Sequence, residues 1–217
     1  MNPIIRWILK RLDSDKDVFI AITGDRGSGK SYGSLTIAEE VLKEKNMNVT
    51  QNLFMHYEAW EWLDALTQKT RKYQIDIIDE GGIFAGNRDW NSKSNKIVSK
   101  ISQMVRYLNR VVIFNLPSLD KLDSHIRSLI HLHIETDWID KSRNLLYVKA
   151  RLIKRNQLTG DEHYVKLKGT LNNQKTVGWN LIALKKPKLE EWYTQESKFQ
   201  KNKQIKEFAN QLQQLKI

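Results

Sequence analysis

The residues best suited to chemistry are Gly24-Asp25-Arg26-Gly27-Ser28-Gly29-Lys30-Ser31, which match the pattern G-x-x-x-x-G-K-[ST] in full. Glycines at these positions let backbone N–H groups curl inward around phosphate oxygens. A helix starting at the lysine adds its positive dipole end. Lys30 is then placed for the β- and γ-phosphates of ATP and the Ser31 hydroxyl for Mg²⁺, and Tyr32 closes the run assigned to the nucleotide. A glycine-rich turn between strand and helix is the plainer alternative. The complete motif, directly after an apolar run and directly before a helical one, argues against it.

A second group lies at Ile75–Glu80, an apolar run that ends in two carboxylates. As a strand it delivers Asp79 to its carboxyl end, beside the phosphate loop, where Asp79 would hold Mg²⁺ through water. Glu80 is then placed to orient and deprotonate an attacking water, which favours hydrolysis over transfer to a small acceptor. Asp76 is a weaker candidate, because its side chain projects from the other face of the strand. Asn115, closing the run VVIFN, is a candidate for sensing the γ-phosphate; a turn-forming Asn before Leu-Pro is the alternative.

These residues need a parallel sheet to hold them. Val18–Thr23 and Val111–Asn115 are continuous apolar runs of the kind that form buried parallel strands, and Gln74–Asp79 is a third. Lys30–Glu44 and Asn95–Asn109 carry helical spacing. A shorter strand is expected near Asn48–Leu53, followed by a Trp-rich helix near Tyr57–Thr67. Alternating strands and helices imply right-handed crossovers and an α/β fold of the RecA/ASCE-like P-loop NTPase type, a mostly parallel sheet flanked by helices. Beyond His131 the pattern changes to short alternating runs at His131–Glu135, Leu145–Lys154, His163–Leu167 and Trp179–Leu184, read as added, partly antiparallel strands. The expected division is an amphipathic segment at 1–16, the ATPase domain at 17–184 and a charged, Gln-rich helical tail at 185–217, in which no catalytic residue is assigned.

Composition sets bounds on partners. The 217-residue chain holds 36 Lys and Arg against 25 Asp and Glu, a formal net charge of +11, which lowers the cost of approaching DNA, RNA or anionic lipid. Clusters at Lys93, Lys96 and Lys100 and at Lys149, Arg151, Lys154 and Arg155 are candidate phosphate contacts, though the second alternates along a strand and could be a solvated sheet face. With no cysteine, neither disulfides nor Cys-ligated zinc hold the fold. No apolar run reaches the roughly 20 residues of a membrane span, so a cytoplasmic location is expected. Ile4, Ile5, Ile8, Leu9 and Leu12 share one helical face, which either docks on the protein or lets residues 1–12 touch a membrane surface or a virion protein.

With GDRGSGKS, IDIIDE, and then a basic helix before VVIFNLPSLDKLDSHIRSLIHLHIE, the chain resembles the FtsK–HerA superfamily of DNA-pumping ATPases. The zonula occludens toxin-like branch of phage, virus and mobile-element proteins is the part it looks most like. The resemblance spans about residues 17–136 and rests mainly on the later block. It implies a homo-oligomeric ring, commonly a hexamer, that hydrolyses ATP at subunit interfaces and moves double-stranded DNA. It also implies an arginine reaching in from a neighbouring subunit, for which Arg106 and Arg110 are the preferred candidates, with Arg88 and Arg127 behind them. Where the family has Thr-Gln at the end of its strand this chain has Phe114-Asn115, a side chain one methylene shorter. The same branch includes morphogenesis proteins, so an ATPase driving virion or surface-complex assembly is the alternative function. A loader of the AAA+ type is disfavoured by the strand-like stretches after His131.

Overall fold

The computed structural model describes residues 1–57, 59–67, 72–79, 109–122, 124–156, 158–167, 170–171, 174–175 and 181–214. Its centre is set by runs too apolar to leave either face in water. Strands β1 (Val18–Thr23), β3 (Ile75–Ile78) and β4 (Val111–Leu116) are buried at every residue. With β2 (Leu53–His56) and the first part of β5 (Leu132–Asp140) they pair in parallel in the order β5-β1-β4-β3-β2. This order inserts β4 between the strand feeding the phosphate loop and the strand ending at Asp79.

The pleat sends alternate residues to opposite faces. Val18, Ile20, Ile22, Ile75, Ile77, Val111 and Ile113 pack under α1 (Pro3–Leu12) and α2 (Lys30–Glu44). Phe19, Ala21, Val112 and Phe114 face the other way, against Trp62 of α4 (Ala59–Thr67) and Ile126 of α5 (Ser124–Leu129). Trp62 meets Phe114 edge to face at 5.8 Å, a geometry suited to the ring quadrupoles. The result is a sheet between two helical layers, as the apolar runs require.

Beyond β5 the sheet turns antiparallel. β6 (Leu145–Arg155) pairs with β5, with β7 (Glu162–Lys166) and with β10 (Leu181–Lys185), while β8 (Thr170–Leu171) and β9 (Gln174–Lys175) form a separate small ribbon. The last element, α6 (Glu190–Gln214), is a long polar helix. Among the described residues no helix is long and apolar enough to cross a membrane.

Two expectations are corrected here. The segment expected as a strand near Asn48–Leu53 is a helical turn, α3 (Val49–Asn52), and the strand starts only at Leu53. Asn52 Nδ2 donates back to the Asn48 carbonyl at 2.8 Å, a local side-chain bond that competes with strand pairing. The apolar face of residues 1–12 is not available to a membrane. Ile4, Ile5, Ile8 and Leu12 are at most 1% exposed in the same core as α2 and β1, and each fully buried side chain is worth about 1.5–3 kcal/mol. Asn2 caps α1 by accepting from Ile4 N–H at 3.0 Å and donates to the Ala183 carbonyl of β10 at 2.9 Å. The segment is thereby part of the same core as α2 and β1. The expected helix at Asn95–Asn109 lies outside the described residues save for Asn109.

Candidate nucleotide-binding site

β1 ends at Thr23 and the chain turns through Gly24–Gly29 into α2. Glycine is required at two points. A Cβ on Gly24 would come within 2.0 Å of Thr136 Oγ1, because β5 shoulders the loop. Gly29, at φ +94°, starts α2 from a backbone conformation that L side chains rarely adopt. Ser28 Oγ and Thr136 Oγ1 are 2.6 Å apart, and Thr136 donates to the Thr23 carbonyl at 3.0 Å, pinning the loop to the sheet. Thr136 carried no motif, and the sequence reading passed over it.

Lys30 Nζ donates to the Gly24 and Asp25 carbonyls at 2.8 and 2.7 Å, so the cation is held over the loop it belongs to. Ser31 Oγ donates to Asp79 Oδ1 at 3.1 Å, across from α2 to the end of β3. Asn115 Nδ2, at the end of β4, donates to the same Oδ1 at 2.9 Å and to Ser34 Oγ at 3.1 Å. Because an ionised carboxylate only accepts, this bond fixes the orientation of the amide. Asn115 Oδ1 is then buried without a hydrogen-bond partner, an acceptor available to a water. Side chains from α2 and β4 thus meet at Asp79, itself only 3% exposed.

They border a cleft of about 890 Å³ lined by Arg26, Gly27, Gly29, Lys30, Ser31, Tyr32, Asp79 and Asn115, with Lys201, Gln204 and Ile205 of α6 on its other side. The donor set suits magnesium. A hydroxyl and a carboxylate are hard oxygen ligands, few in number, which leaves positions for phosphate oxygens and water. Tyr32 contributes its ring to the cleft while its hydroxyl donates to the Asn144 carbonyl at 2.8 Å. Burial and then the charge of Glu190 push its pKa up to about 12.

Sequence reasoning missed Tyr193, in the tail to which no role was assigned. Its hydroxyl lies 2.8 Å from Ser31 Oγ and 2.5 Å from Asp79 Oδ2. Burial and the neighbouring Asp79 charge raise its pKa and keep it a protonated donor. A lone tyrosine in a Gln- and Lys-rich helix, 162 residues from Ser31, gives no signal in one sequence.

Arg110 is a correction. Proposed as an arginine that reaches a neighbouring subunit, it is 0% exposed and its Nη1 pairs with Asp76 Oδ2 at 3.2 Å. Asp76, at 0% exposure on the face of β3 away from the phosphate loop, also accepts from His56 Nε2 and Gln74 Nε2, both at 3.0 Å. Glu80, Arg106 and Arg88 lie outside the described residues, as do Lys93, Lys96 and Lys100. The second basic cluster is largely offset by carboxylates. Lys149 pairs with Asp137 at 3.2 Å, Arg151 with Glu135 at 2.8 Å and Arg155 with Glu162 at 2.9 Å, leaving Lys154 exposed.

On the other flank of the loop, His133 Nε2 and Thr23 Oγ1 are 2.8 Å apart. Burial, then the Arg151 charge, lower the His133 pKa from 6.5 to about 4, against a smaller opposing pull from Glu135. The folded chain therefore binds fewer protons than the unfolded one between those values, and stability falls as pH drops from 6.5 towards 4. After a discount for partial exposure this amounts to about 2 kcal/mol at pH 4.5. Urea unfolding at pH 7 and pH 4.5 checks it: His133→Gln should lose about that much less than the native chain.

The order β5-β1-β4-β3-β2, the phosphate loop after β1 and Asp79 at the end of β3 define a P-loop NTPase fold. Solved structures similar to the chain include the N-terminal domain of zonular occludens toxin from Neisseria meningitidis, at 12% identity and a TM-score of 0.45, covering 70% of this chain and 95% of that one. They also include the DNA-packaging ATPase B204 of Sulfolobus Turreted Icosahedral Virus, at 11% identity and TM-score 0.40, covering 69% and 96%. A KaiC-like protein from Pyrococcus horikoshii matches at 10% identity and TM-score 0.39, covering 76% and 88%. No family model matches the sequence, and no curated protein matches it at a significant level.

Proposed function

We propose that the protein binds ATP with Mg²⁺ in the cleft above Lys30, hydrolyses it, and uses the cycle to move double-stranded DNA as a member of an oligomeric ring. The observation that carries the catalytic half is the meeting of Ser31, Asp79 and Asn115 beside Lys30 at the carboxyl ends of three parallel strands. Lys30 holds charge on the β- and γ-phosphates. Ser31 and Asp79 hold the metal, which neutralises charge building on phosphate oxygens when bound. Asn115, with its free acceptor, orients the attacking water, and Glu80 takes that water's proton. The water oxygen bonds to the γ-phosphorus as the bond to the β-γ bridging oxygen breaks, giving ADP and phosphate.

The DNA half rests on the resemblance to DNA-pumping ATPases and on the net charge of +11. The carboxylate pairing of Lys149, Arg151 and Arg155 favours a second reading, an ATPase that drives assembly of a protein complex. Steady-state ATP turnover at low salt, with duplex, single-stranded or no DNA, separates the two. The expected result is several-fold stimulation by duplex, and in Glu80→Gln a loss of at least about a hundredfold under every condition. Turnover in the native chain that ignores all nucleic acid would give the assembly reading the lead. Native turnover in Glu80→Gln would remove the assigned base.

A further inference from the structure

Among the described residues, the oxygens of Ser31 and Asp79 that suit a divalent cation are engaged by protein. Asp79 Oδ1 accepts from Ser31 and Asn115, and Oδ2 accepts from Tyr193, whose hydroxyl also touches Ser31 Oγ. Mg²⁺ needs near-octahedral oxygen at about 2.0–2.1 Å and keeps several of its waters. A phenol in contact with both Ser31 and Asp79 fills the space that the ion and its bridging water require. We propose that α6 is an intramolecular plug of the nucleotide site, with the Tyr193 hydroxyl standing in for the hydrated metal, so that Mg²⁺ and ATP bind by displacing the helix. This rests on the reading of the cleft as a nucleotide site.

The rest of the helix fits that role. Residues 193, 197, 201 and 204 recur at helical spacing on one face; Ser197 is buried, and Lys201 and Gln204 line the cleft. At 1.5 Å per residue this face runs about 16 Å, from Tyr193 at Ser31 to Gln204 on the cleft wall. The helix is tethered at its start, where the Glu39 carboxylate of α2 accepts from the Lys188 and Leu189 N–H groups at 2.9 and 2.6 Å. Farther along, Phe199 is 65% and Ile205 64% exposed. A start fixed to α2 and a body that reaches the cleft make an element that a ligand of differential affinity for the two positions can shift.

Binding of mant-labelled ATP to the full chain tests this, in Mg²⁺ or in EDTA, for the native protein and Tyr193→Phe. The variant keeps the ring and loses only the hydroxyl. It should bind the nucleotide about tenfold more tightly in Mg²⁺, the worth of hydrogen bonding to a charged acceptor, with little change in EDTA. Hydrogen exchange on the native chain needs no variant: amides of 190–205 should exchange faster once Mg²⁺ and ATP are added. Equal or weaker Mg²⁺-dependent binding by Tyr193→Phe, or slower exchange of α6 with nucleotide, would overturn the plug and make the helix a lid that contributes to binding. If neither protein binds the nucleotide, the site reading falls and the plug falls with it.

Discussion

In the proposed ATPase, Lys30→Ala is expected to lower ATP turnover by about a hundred- to a thousandfold or more and to leave the fold intact. The expected size follows from what the ammonium does. It is a positive charge held at the mouth of the loop by two carbonyl oxygens, at 2.8 and 2.7 Å, and it lines the cleft between Gly29 and Ser31. Triphosphate oxygens offer it a far stronger partner than neutral carbonyls, and the negative charge that shifts onto the leaving oxygens in the transition state makes that preference larger. Preorganised electrostatic contacts of this kind are worth about 2.7–4 kcal/mol each in the barrier. Stability should change by about 1 kcal/mol or less, because the carbonyls that lose Lys30 lie at a solvent-accessible loop where water can replace it. Turnover and thermal melting, measured on the same preparation, check both halves. A variant with native turnover would mean that the loop does not hold phosphate at all.

The parts of this site legible in the sequence are those dictated by local rules. A run such as VFIAIT has no polar face, so it must be a strand covered on both sides. A glycine-rich turn followed by Lys-Ser can only serve phosphate where a strand ends and a helix starts, and that is where it lies. Asp79 was found because the apolar run before it fixes which end of the strand it occupies. The contributions that escaped notice are those made by tertiary contact. Thr136 supports the loop from β5, and Tyr193 arrives from a helix at the far end of the chain. Neither has a local pattern to betray it. Residues 1–12 are an intermediate case: the apolar face was plain, but whether protein or lipid covers it depends on the groove above α2 and β10, which only the fold creates.

Arg110 shows a signal that was present and unused, and it carries the largest expected effect on stability. Asp76 interrupts the apolar run of β3, and a carboxylate in a buried strand must find a cation or hydrogen-bond donors. The register pairs Ile75 with Val111, which brings the residue before β4 level with the start of β3, so Arg110 is the cation at hand. Its guanidinium meets Asp76 at 3.2 Å with both side chains fully buried, and His56 and Gln74 complete the carboxylate's shell. Arg110→Ala should therefore destabilise the protein by about 3–5 kcal/mol, because Asp76 loses its guanidinium partner in the core and keeps only His56 and Gln74. For a domain of this size that lowers the melting temperature by roughly 10 °C. Loss of turnover in this variant would follow unfolding instead of preceding it, whereas an arginine acting across a subunit interface would cost turnover with no change in melting. The double variant Arg110→Met, Asp76→Asn separates these cases further. It removes both charges, keeps an acceptor for His56 and Gln74, and fills the volume of the guanidinium stem, so most of the lost stability should return. Turnover should return with it, since neither residue touches the cleft; a double variant that melts like the native chain yet stays inactive would restore Arg110 to the catalytic machinery.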